Sequence, residues 1–281
     1  MAMSRKNMIR TIWFVIALLG CVLMLYPLVW MVASSFKPEE LIFYDRSILI
    51  REFTLDNYIH GFQGVAGIPF WVYVVNTFRV VIPVVIGTVL SSSMAGYAFV
   101  RLKFFGKKLY FALMLMTLML PMHAALIPRF LMFGRLGWLD SYLPLTVPAF
   151  FATASFFVFL FVQFIRGIPE EIDQAATVDG CGPIQIYWRI ILPLSLPAIL
   201  TAGIFSFIWT YDDFFSQLIY ITSPGRFTIA LALRQYTEAL ERSAFGTLFA
   251  MSTVSLIPLF VFFVTCQKYL VEGIATTGIK G

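Results

Sequence analysis

The sequence predicts an all-α integral membrane protein with six transmembrane helices. Apolar residues make up 60% of its 281 positions and charged residues only 12%. Soluble domains carry about 25% charged residues, and a chain as apolar as this one needs a lipid solvent to cover its surface. Six apolar stretches, each long enough to cross about 30 Å of hydrocarbon, give the number of helices.

The six apolar stretches lie within residues 1–281, which we treat as a single transmembrane domain. Their approximate bounds are 12–33, 72–99, 109–128, 142–164, 196–221 and 247–270. The first stretch is longer than the apolar core of a signal peptide, about 7–15 residues, so we expect an uncleaved helix, with cleavage near Ala33 as the alternative. In the second stretch, Ser92 and Gly96 stand four residues apart, which favours close helix packing in lipid.

The segments that connect the stretches alternate in charge. One set, formed by the N-terminus, residues 101–108, residues 165–195 and the C-terminal tail, holds eleven basic and five acidic residues. The other set holds eight basic and ten acidic residues. Because basic flanking segments remain in the cytoplasm, we expect both termini there. The same bias accounts for the net charge of +5 without nucleic acid, for which the sequence has no binding motif.

Patterns typical of catalytic, metal and phosphate sites are missing from the sequence. Cys21, Cys181 and Cys266 have no CxxC spacing, and the two histidines, His60 and His123, stand apart from any cluster of nucleophiles or ligands. No G-x-x-x-x-G-K-[ST] phosphate loop occurs. We therefore expect no catalytic residue, metal site or cofactor on this chain, which argues against a membrane enzyme.

The connection between the fourth and fifth stretches, residues 169–193, has the most informative pattern. Pro169 suits the first turn of a helix, where its missing N–H is not needed, and acidic residues follow it near the positive end of the helix dipole. Gly180 ends this helix, and Pro183 suits the start of another. The pattern predicts two short helices with a sharp turn, and the pair Tyr187-Trp188 indicates a surface that docks a partner.

Six residues of this connection have a fixed spacing: Ala175, Ala176, Gly180, Ile190, Leu192 and Pro193. The spacing resembles the cytoplasmic signature of the permease subunits of bacterial ABC importers, which runs Glu-Ala-Ala, three residues, Gly, nine residues, Ile, one residue, Leu-Pro. The signature glutamate, an ion-pairing group for an ATPase arginine in the family, is Gln174 here. Gln174 can still accept a hydrogen bond, and the neighbouring Asp173 could supply a charge.

Further motifs occur along nearly the whole chain: Ser35-Phe36-Lys37, Asn57-Tyr58, Asn76-Thr77, Ala95-Gly96-Tyr97-Ala98 with Arg101-Leu102, Leu139-Asp140-Ser141-Tyr142 and the tail 272–281. Together they resemble the second permease subunit of the maltose-type carbohydrate importers. The last long connection, about 222–246, is similar to the loop that probes the solute-binding protein in the maltose system.

The resemblance implies an ABC type I importer permease fold with a cytoplasmic coupling-helix loop, in a bacterial cytoplasmic (inner) membrane. The implied partners are a homologous second permease in a heterodimer, two copies of an ABC ATPase that binds ATP and Mg, and an extracytoplasmic solute-binding protein. Residues 169–193, called the coupling segment below, would dock on the ATPase and pass its closure to the fifth span. The residues expected to carry this coupling are Glu170, Asp173, Gln174, Ala175, Ala176, Asp179, Gly180, Tyr187, Trp188, Leu192 and Pro193.

The fifth stretch ends in aromatic and polar residues, and carboxylates are costly at membrane depth unless they face water or a partner. The residues are Trp209, Tyr211, Asp212, Asp213 and Gln217. Two interpretations stay open. They line the path of a sugar, whose ring stacks on an aromatic side chain and whose hydroxyl groups donate to a carboxylate, or they cap the helix at its outer end.

The function expected from these patterns is that of a non-enzymatic permease subunit of an ATP-driven, binding-protein-dependent importer for a sugar or oligosaccharide, neutral or acidic. Glycerol phosphate esters and polyols are the alternatives among importers. A secondary transporter or channel that works alone is the rival class. Such proteins usually show inverted repeats and broken helices around buried ion ligands, and the sequence shows neither clearly.

Overall fold

The computed structural model describes residues 5–238 and 245–278. Across these residues the regular structure is helical, apart from one isolated bridge between Val65 and Ile68. The chain packs as two compact units. One consists of the described residues of 1–71 and 233–257, the other of those of 72–232 and 258–281. The single domain expected over residues 1–281 stays a prediction.

The helices are numbered here in chain order over the described residues. They are α1 (Arg5–Ser34), α2 (Glu39–Tyr44), α3 (Asp56–Gln63), α4 (Phe70–Arg101), α5 (Lys107–Leu118), α6 (Leu126–Arg135), α7 (Leu143–Thr146), α8 (Ser155–Arg166), α9 (Glu170–Val178), α10 (Pro183–Ile186), α11 (Leu192–Leu194), α12 (Leu196–Tyr211), α13 (Phe214–Tyr220), α14 (Ile229–Glu238) and α15 (Phe245–Gly278). A π-turn, Tyr187–Ile191, joins α10 to α11.

By length and apolar composition, four helical runs of the described chain can cross a membrane: Lys6–Ser34, Phe70–Arg101, Leu143–Arg166 and Phe245–Lys268. The runs Pro183–Leu194 and Leu196–Tyr211 form a fifth candidate when they are counted as one span bent by 76°. The all-α membrane fold predicted from the composition is therefore confirmed.

The stretch 109–128, predicted as the third span, is not one helix. Helix α5 ends at Leu118, and α6 begins only at Leu126. Pro121 lies between them, and proline has no N–H for the helix ladder and disfavours helical geometry at the residue before it. Hydropathy does not detect this break, because the residues around the proline are as apolar as those of a continuous span.

In the first unit, the polar connection after α1 folds around α2 and α3. Lys37 is buried, and its ammonium group donates to two backbone carbonyl oxygens at 2.6 and 2.9 Å. The carboxylate of Glu39 accepts from the backbone N–H groups of Phe245 at 2.8 Å and Gly246 at 2.7 Å. Glu39 thereby caps the N-terminus of α15, where the helix dipole favours negative charge.

In the second unit, α4 packs closely against α8. A Cβ atom built on Gly96 would lie 2.6 Å from the Cβ of Phe161, so only glycine fits at this crossing. Ser92 is fully buried one turn earlier. The close packing predicted from Ser92 and Gly96 is therefore confirmed. In the same unit, Phe262 of α15 stacks on Phe207 of α12 with ring centroids 3.9 Å apart.

Candidate functional site

The coupling segment forms two short helices with a turn between them, as predicted. Helix α9 starts directly after Pro169 and ends shortly before Gly180, whose φ of +84° lies in the left-handed region that favours glycine. Helix α10 starts at Pro183 and continues through the π-turn into α11. The chain then bends by 76° at Ser195 before it enters α12.

Arg101, the last residue of α4, holds the first short helix. Its guanidinium donates to the carbonyl oxygen of Ile168 at 2.7 Å, forms an ion pair with Asp173 and lies 3.6 Å from the carboxylate of Glu170. The Arg101 side chain is only 7% exposed. Asp173 thus holds α9 against α4, instead of standing free to replace the charge of the missing signature glutamate.

Two more side chains of α4 hold the second short helix. The hydroxyl of Tyr97 donates to the carbonyl oxygen of Pro183 at 3.0 Å, and the hydroxyl oxygens of Ser93 and Tyr187 lie 2.7 Å apart. Tyr187 is only 4% exposed, so the expectation that it provides a docking surface is wrong. The sequence could not distinguish the two roles, because an aromatic ring suits a core and a docking surface equally well.

The exposed side of the coupling segment carries most of the other predicted residues. Those classed as exposed are Glu170, Gln174, Ala175, Asp179, Gly180, Trp188 and Pro193, whereas Ala176 is buried and Asp173 and Leu192 are half-buried. Two exposed apolar residues, Val178 at 88% and Ile184 at 75%, were not predicted from the sequence. Their apolar side chains on either side of the Gly180 turn were the signal that could have identified them.

A cavity of about 590 Å³ lies in the second unit and is called the Trp209 cavity below. Its wall comes from α4, α6, α8, α12, α13 and the chain between α6 and α8. The aromatic lining residues are Phe133, Trp138, Phe151, Phe157, Trp209 and Tyr220. The polar ones are Thr88, Arg129, Thr153, Ser206, Thr210, Asp213 and Ser216. Within residues 5–238 and 245–278, no group of three His, Cys, Asp or Glu side chains could hold a metal ion.

Of the residues predicted to line a solute path, Trp209 and Asp213 line the Trp209 cavity. Asp213 also caps α13, because its carboxylate accepts from the backbone N–H of Ser216 at 3.0 Å. The other three residues do not line this cavity, and their place on a solute path stays a prediction. Tyr211 and Gln217 are buried outside the cavity wall, and Asp212 is exposed elsewhere. Lining residues recur at helical spacing along α12, which turns the residues between them away from the cavity.

A polar clasp joins Asp140 to the chain that follows α13. The Asp140 carboxylate accepts from the backbone N–H groups of Thr222 at 3.0 Å and Ser223 at 2.8 Å. It also accepts from the Ser223 hydroxyl at 2.5 Å and pairs with Arg226 at 2.9 Å. These donors, the Ser223 hydroxyl above all, lower the pKa of Asp140 to about 2, although partial burial opposes them.

Residues in the first turns of α4 bind residues 225–229, which follow Ser223 in the chain. The side-chain amide of Asn76 donates to the carbonyl oxygens of Gly225 at 2.9 Å and Phe227 at 3.0 Å. The hydroxyl of Thr77 accepts from the backbone N–H of Ile229 at 2.9 Å. Residues 239–244 of the long connection 222–246, and residues 279–281 of the tail, lie outside the described residues.

Residues 87–276 match the family described as "Binding-protein-dependent transport system inner membrane component". The chain belongs to this family. It is a multi-pass, non-catalytic permease subunit, and membership in the family implies an ATPase and a binding protein as partners.

Proteins similar to this permease cover most of its length. It is 32% identical over 257 residues to the probable ABC transporter permease protein YurM of Bacillus subtilis (strain 168), covering 91% of the permease and 84% of that protein. It is 28% identical over 278 residues to the trehalose/maltose transport system permease protein MalG of Thermococcus litoralis, covering 99% of each. The resemblance inferred from the coupling segment is confirmed.

A solved structure shares the fold of the permease. It is a chain of a bacterial ABC transporter involved in the import of the acidic polysaccharide alginate. The TM-score is 0.83 at 21% sequence identity, and the match covers 96% of the permease and 99% of that chain. The predicted importer-permease fold is therefore confirmed.

Proposed function

We propose that this permease forms part of the membrane pathway of an ATP-driven importer for a sugar or oligosaccharide, and that the solute passes through the Trp209 cavity. The observation that carries the proposal is the continuity of the chain between two sites. Helix α12, which supplies Trp209 to the cavity wall, follows the coupling segment after a single bend at Ser195. A movement of the coupling segment can therefore change the shape of the cavity.

The wall of the Trp209 cavity suits a saccharide. The ring of Trp209 offers a face for the apolar side of a pyranose, while Asp213 can accept hydrogen bonds from sugar hydroxyl groups and Arg129 can donate to their oxygens. The cavity volume of about 590 Å³ lies within the range of small-molecule sites, about 300–1,000 Å³.

A neutral saccharide is the leading solute. Arg129 and Asp213 carry opposite charges in one wall, so the cavity offers donors and acceptors without a strong bias towards anions. The naming of the similar Thermococcus litoralis protein for trehalose and maltose supports the same class. Acidic sugars, glycerol phosphate esters and polyols are the alternatives, and the last two have no pyranose face for the aromatic wall.

We expect an assembly of this permease with an ATPase, and the exposed side of the coupling segment supports it. Its apolar residues Val178, Ile184 and Trp188 would dock on the ATPase, and Gln174 would accept a hydrogen bond where the family has a carboxylate. ATP and Mg would bind to that partner, present in two copies, and a homologous second permease would complete a heterodimer. Both termini would then lie in the cytoplasm, and the chain around Asp140 and Ser223 would face the solute-binding protein.

Uptake into proteoliposomes tests this function. The permease is purified with its second permease, ATPase and binding protein, and labelled maltose, trehalose, alginate oligomers, glycerol 3-phosphate and mannitol are offered. For the solute that is taken up, Trp209→Ala should lower ATP-driven uptake about tenfold, corresponding to about 1.4 kcal/mol of lost stacking energy.

Trp71→Ala is the matched control for this experiment, because Trp71 is exposed and does not line the cavity. It should leave uptake unchanged. Full uptake by the Trp209→Ala complex would show that the solute does not pass through the cavity. Uptake by this chain without any ATPase would favour a transporter that works alone and would overturn the proposed function.

A further inference from the structure

One face of α4 contacts the coupling segment along two helical turns. Ser93, Tyr97 and Arg101 follow one another at intervals of four residues, which places them on the same side of the helix. Each contacts a different part of the coupling segment: Ser93 the π-turn, Tyr97 the start of α10, and Arg101 the chain around α9. Both short helices are thus fastened to α4 and not only to each other.

These contacts include a nearly buried ion pair. The Arg101 guanidinium is nearly buried and bonds a carbonyl oxygen and a carboxylate at once. Breaking such a buried ion pair leaves an uncompensated charge, which is strongly unfavourable. The rings of Tyr97 and Tyr187 also pack with centroids 5.4 Å apart.

The other end of α4 is fastened to a second segment, residues 225–229. The side chains of Asn76 and Thr77 are each 1% exposed and bind this segment through three hydrogen bonds of 2.9 to 3.0 Å. Between the two ends, Val84 and Thr88 line the Trp209 cavity. With 32 residues, α4 is about 48 Å long and contacts the coupling segment, the cavity and the 225–229 segment in turn.

We propose that α4 transmits the movement of the coupling segment to the Trp209 cavity and to residues 225–229, and that Ser93, Tyr97 and Arg101 are the positioning residues for this step. The inference rests on the proposed function, since it assumes that an ATPase moves the coupling segment. It adds a second route to the one through α12. The α12 route crosses the bend at Ser195, whereas the α4 route uses side chains bonded directly to the flank of one helix.

The test uses the complete transporter in lipid nanodiscs, with Cys21, Cys181 and Cys266 replaced by serine and Val84→Cys introduced into the cavity wall. A water-soluble maleimide reports the accessibility of the new thiol without nucleotide and with Mg and a non-hydrolysable ATP analogue. Nucleotide should change the labelling rate about fivefold or more. Tyr97→Phe and Ser93→Ala should each reduce this response, while ATPase co-purification and basal ATP hydrolysis stay unchanged. Arg101→Gln should reduce the response as well.

Lys107→Gln is the matched control. The ammonium group of Lys107 donates to the carbonyl oxygens of Val100 at 3.2 Å and Leu102 at 3.0 Å. The variant therefore removes a cation near the same end of α4 without touching the coupling segment. It should respond to nucleotide as the parent does. Arg101→Lys keeps the charge and should restore part of the response, which a merely structural defect would not allow.

Three outcomes decide the inference. A full nucleotide response in Tyr97→Phe and Arg101→Gln would overturn it, because the movement would then reach the cavity by another route. Loss of the ATPase from both variants would also overturn it, because these residues would then maintain the docking surface instead of transmitting its movement. A parent complex that binds no ATPase would contradict the proposed function itself, which separates that failure from failure of the inference alone.

Discussion

The carboxylate of Asp140 binds four donors at once: two backbone N–H groups, a hydroxyl and a guanidinium. These donors favour its charged form and lower its pKa from an ordinary value of 3.8 to about 2. A carboxyl group whose pKa is lower in the folded state stabilises that state above its unfolded pKa. The stabilisation by Asp140 is therefore complete near neutral pH and is lost as the pH falls from about 4 towards 2.

Asp140→Asn should therefore destabilise the permease at pH 7 and have little effect near pH 2. Because both Asp140 and Arg226 are partly exposed, we expect a loss of about 1 kcal/mol at neutral pH, or about 2–4 °C in the unfolding temperature. Tryptophan fluorescence during heating in detergent, at several pH values, measures the unfolding temperature. Asp212→Asn, at an exposed carboxylate outside the clasp, is the control. If Asp140→Asn lost equal stability at pH 7 and below pH 3, the charge of the Asp140 carboxylate would not be the cause.

At the scale of helices, the crossing of α4 and α8 depends on the absence of one side chain. Gly96 lets the two backbones approach, because any Cβ there would meet the Cβ of Phe161. Such close approach is the main source of helix association in lipid, where there is no hydrophobic driving force between helices. The same helix carries Tyr97 and Arg101, so a shift at this crossing also moves the contacts with the coupling segment.

Gly96→Ala should destabilise the permease by about 1–3 kcal/mol, the typical effect of overpacking a tight core. Gly203→Ala is the matched control, since Gly203 also lies in a long apolar helix but has open space where its Cβ would be. The control should be neutral or slightly stabilising, because alanine favours helix over glycine by about 1 kcal/mol. Thermal unfolding in detergent compares them, and equal stability of the two variants would refute the packing argument.

For the permease as a whole, the turn between α9 and α10 sets the shape of the exposed side of the coupling segment. Gly180 has a φ of +84°, and no atom lies within 4 Å of a Cβ built there. A substitution is therefore unfavourable because of backbone conformation and not because of a steric clash. Gly182 lies two residues further on with a φ of −76° and equally open space.

Gly180→Ala should weaken the attachment of the ATPase about fivefold, because a non-glycine residue in the left-handed region costs about 1 kcal/mol or more. Gly182→Ala needs no change of backbone and should bind the ATPase as the parent does. Co-purification of the ATPase at several salt concentrations measures both. Equal recovery of the ATPase with the two variants would show that the turn does not set the docking surface.

The all-α membrane class, the two short helices of the coupling segment and the family could all be predicted from the sequence. These follow from composition, proline and glycine positions and a fixed residue spacing, all of which act locally along the chain. The sequence also indicated Trp209 and Asp213, since a carboxylate is costly at membrane depth unless it faces water or a partner and an aromatic ring beside it can stack on a sugar.

The surroundings of each helix face could be read only from the folded chain. It turned Tyr187 and Asp173 towards α4, left Val178 and Ile184 exposed, and placed Arg129 in the wall of the Trp209 cavity. These outcomes depend on contacts between residues far apart in the chain. Ser93 and Tyr187 are 94 positions apart, and no local pattern in either segment specifies their contact.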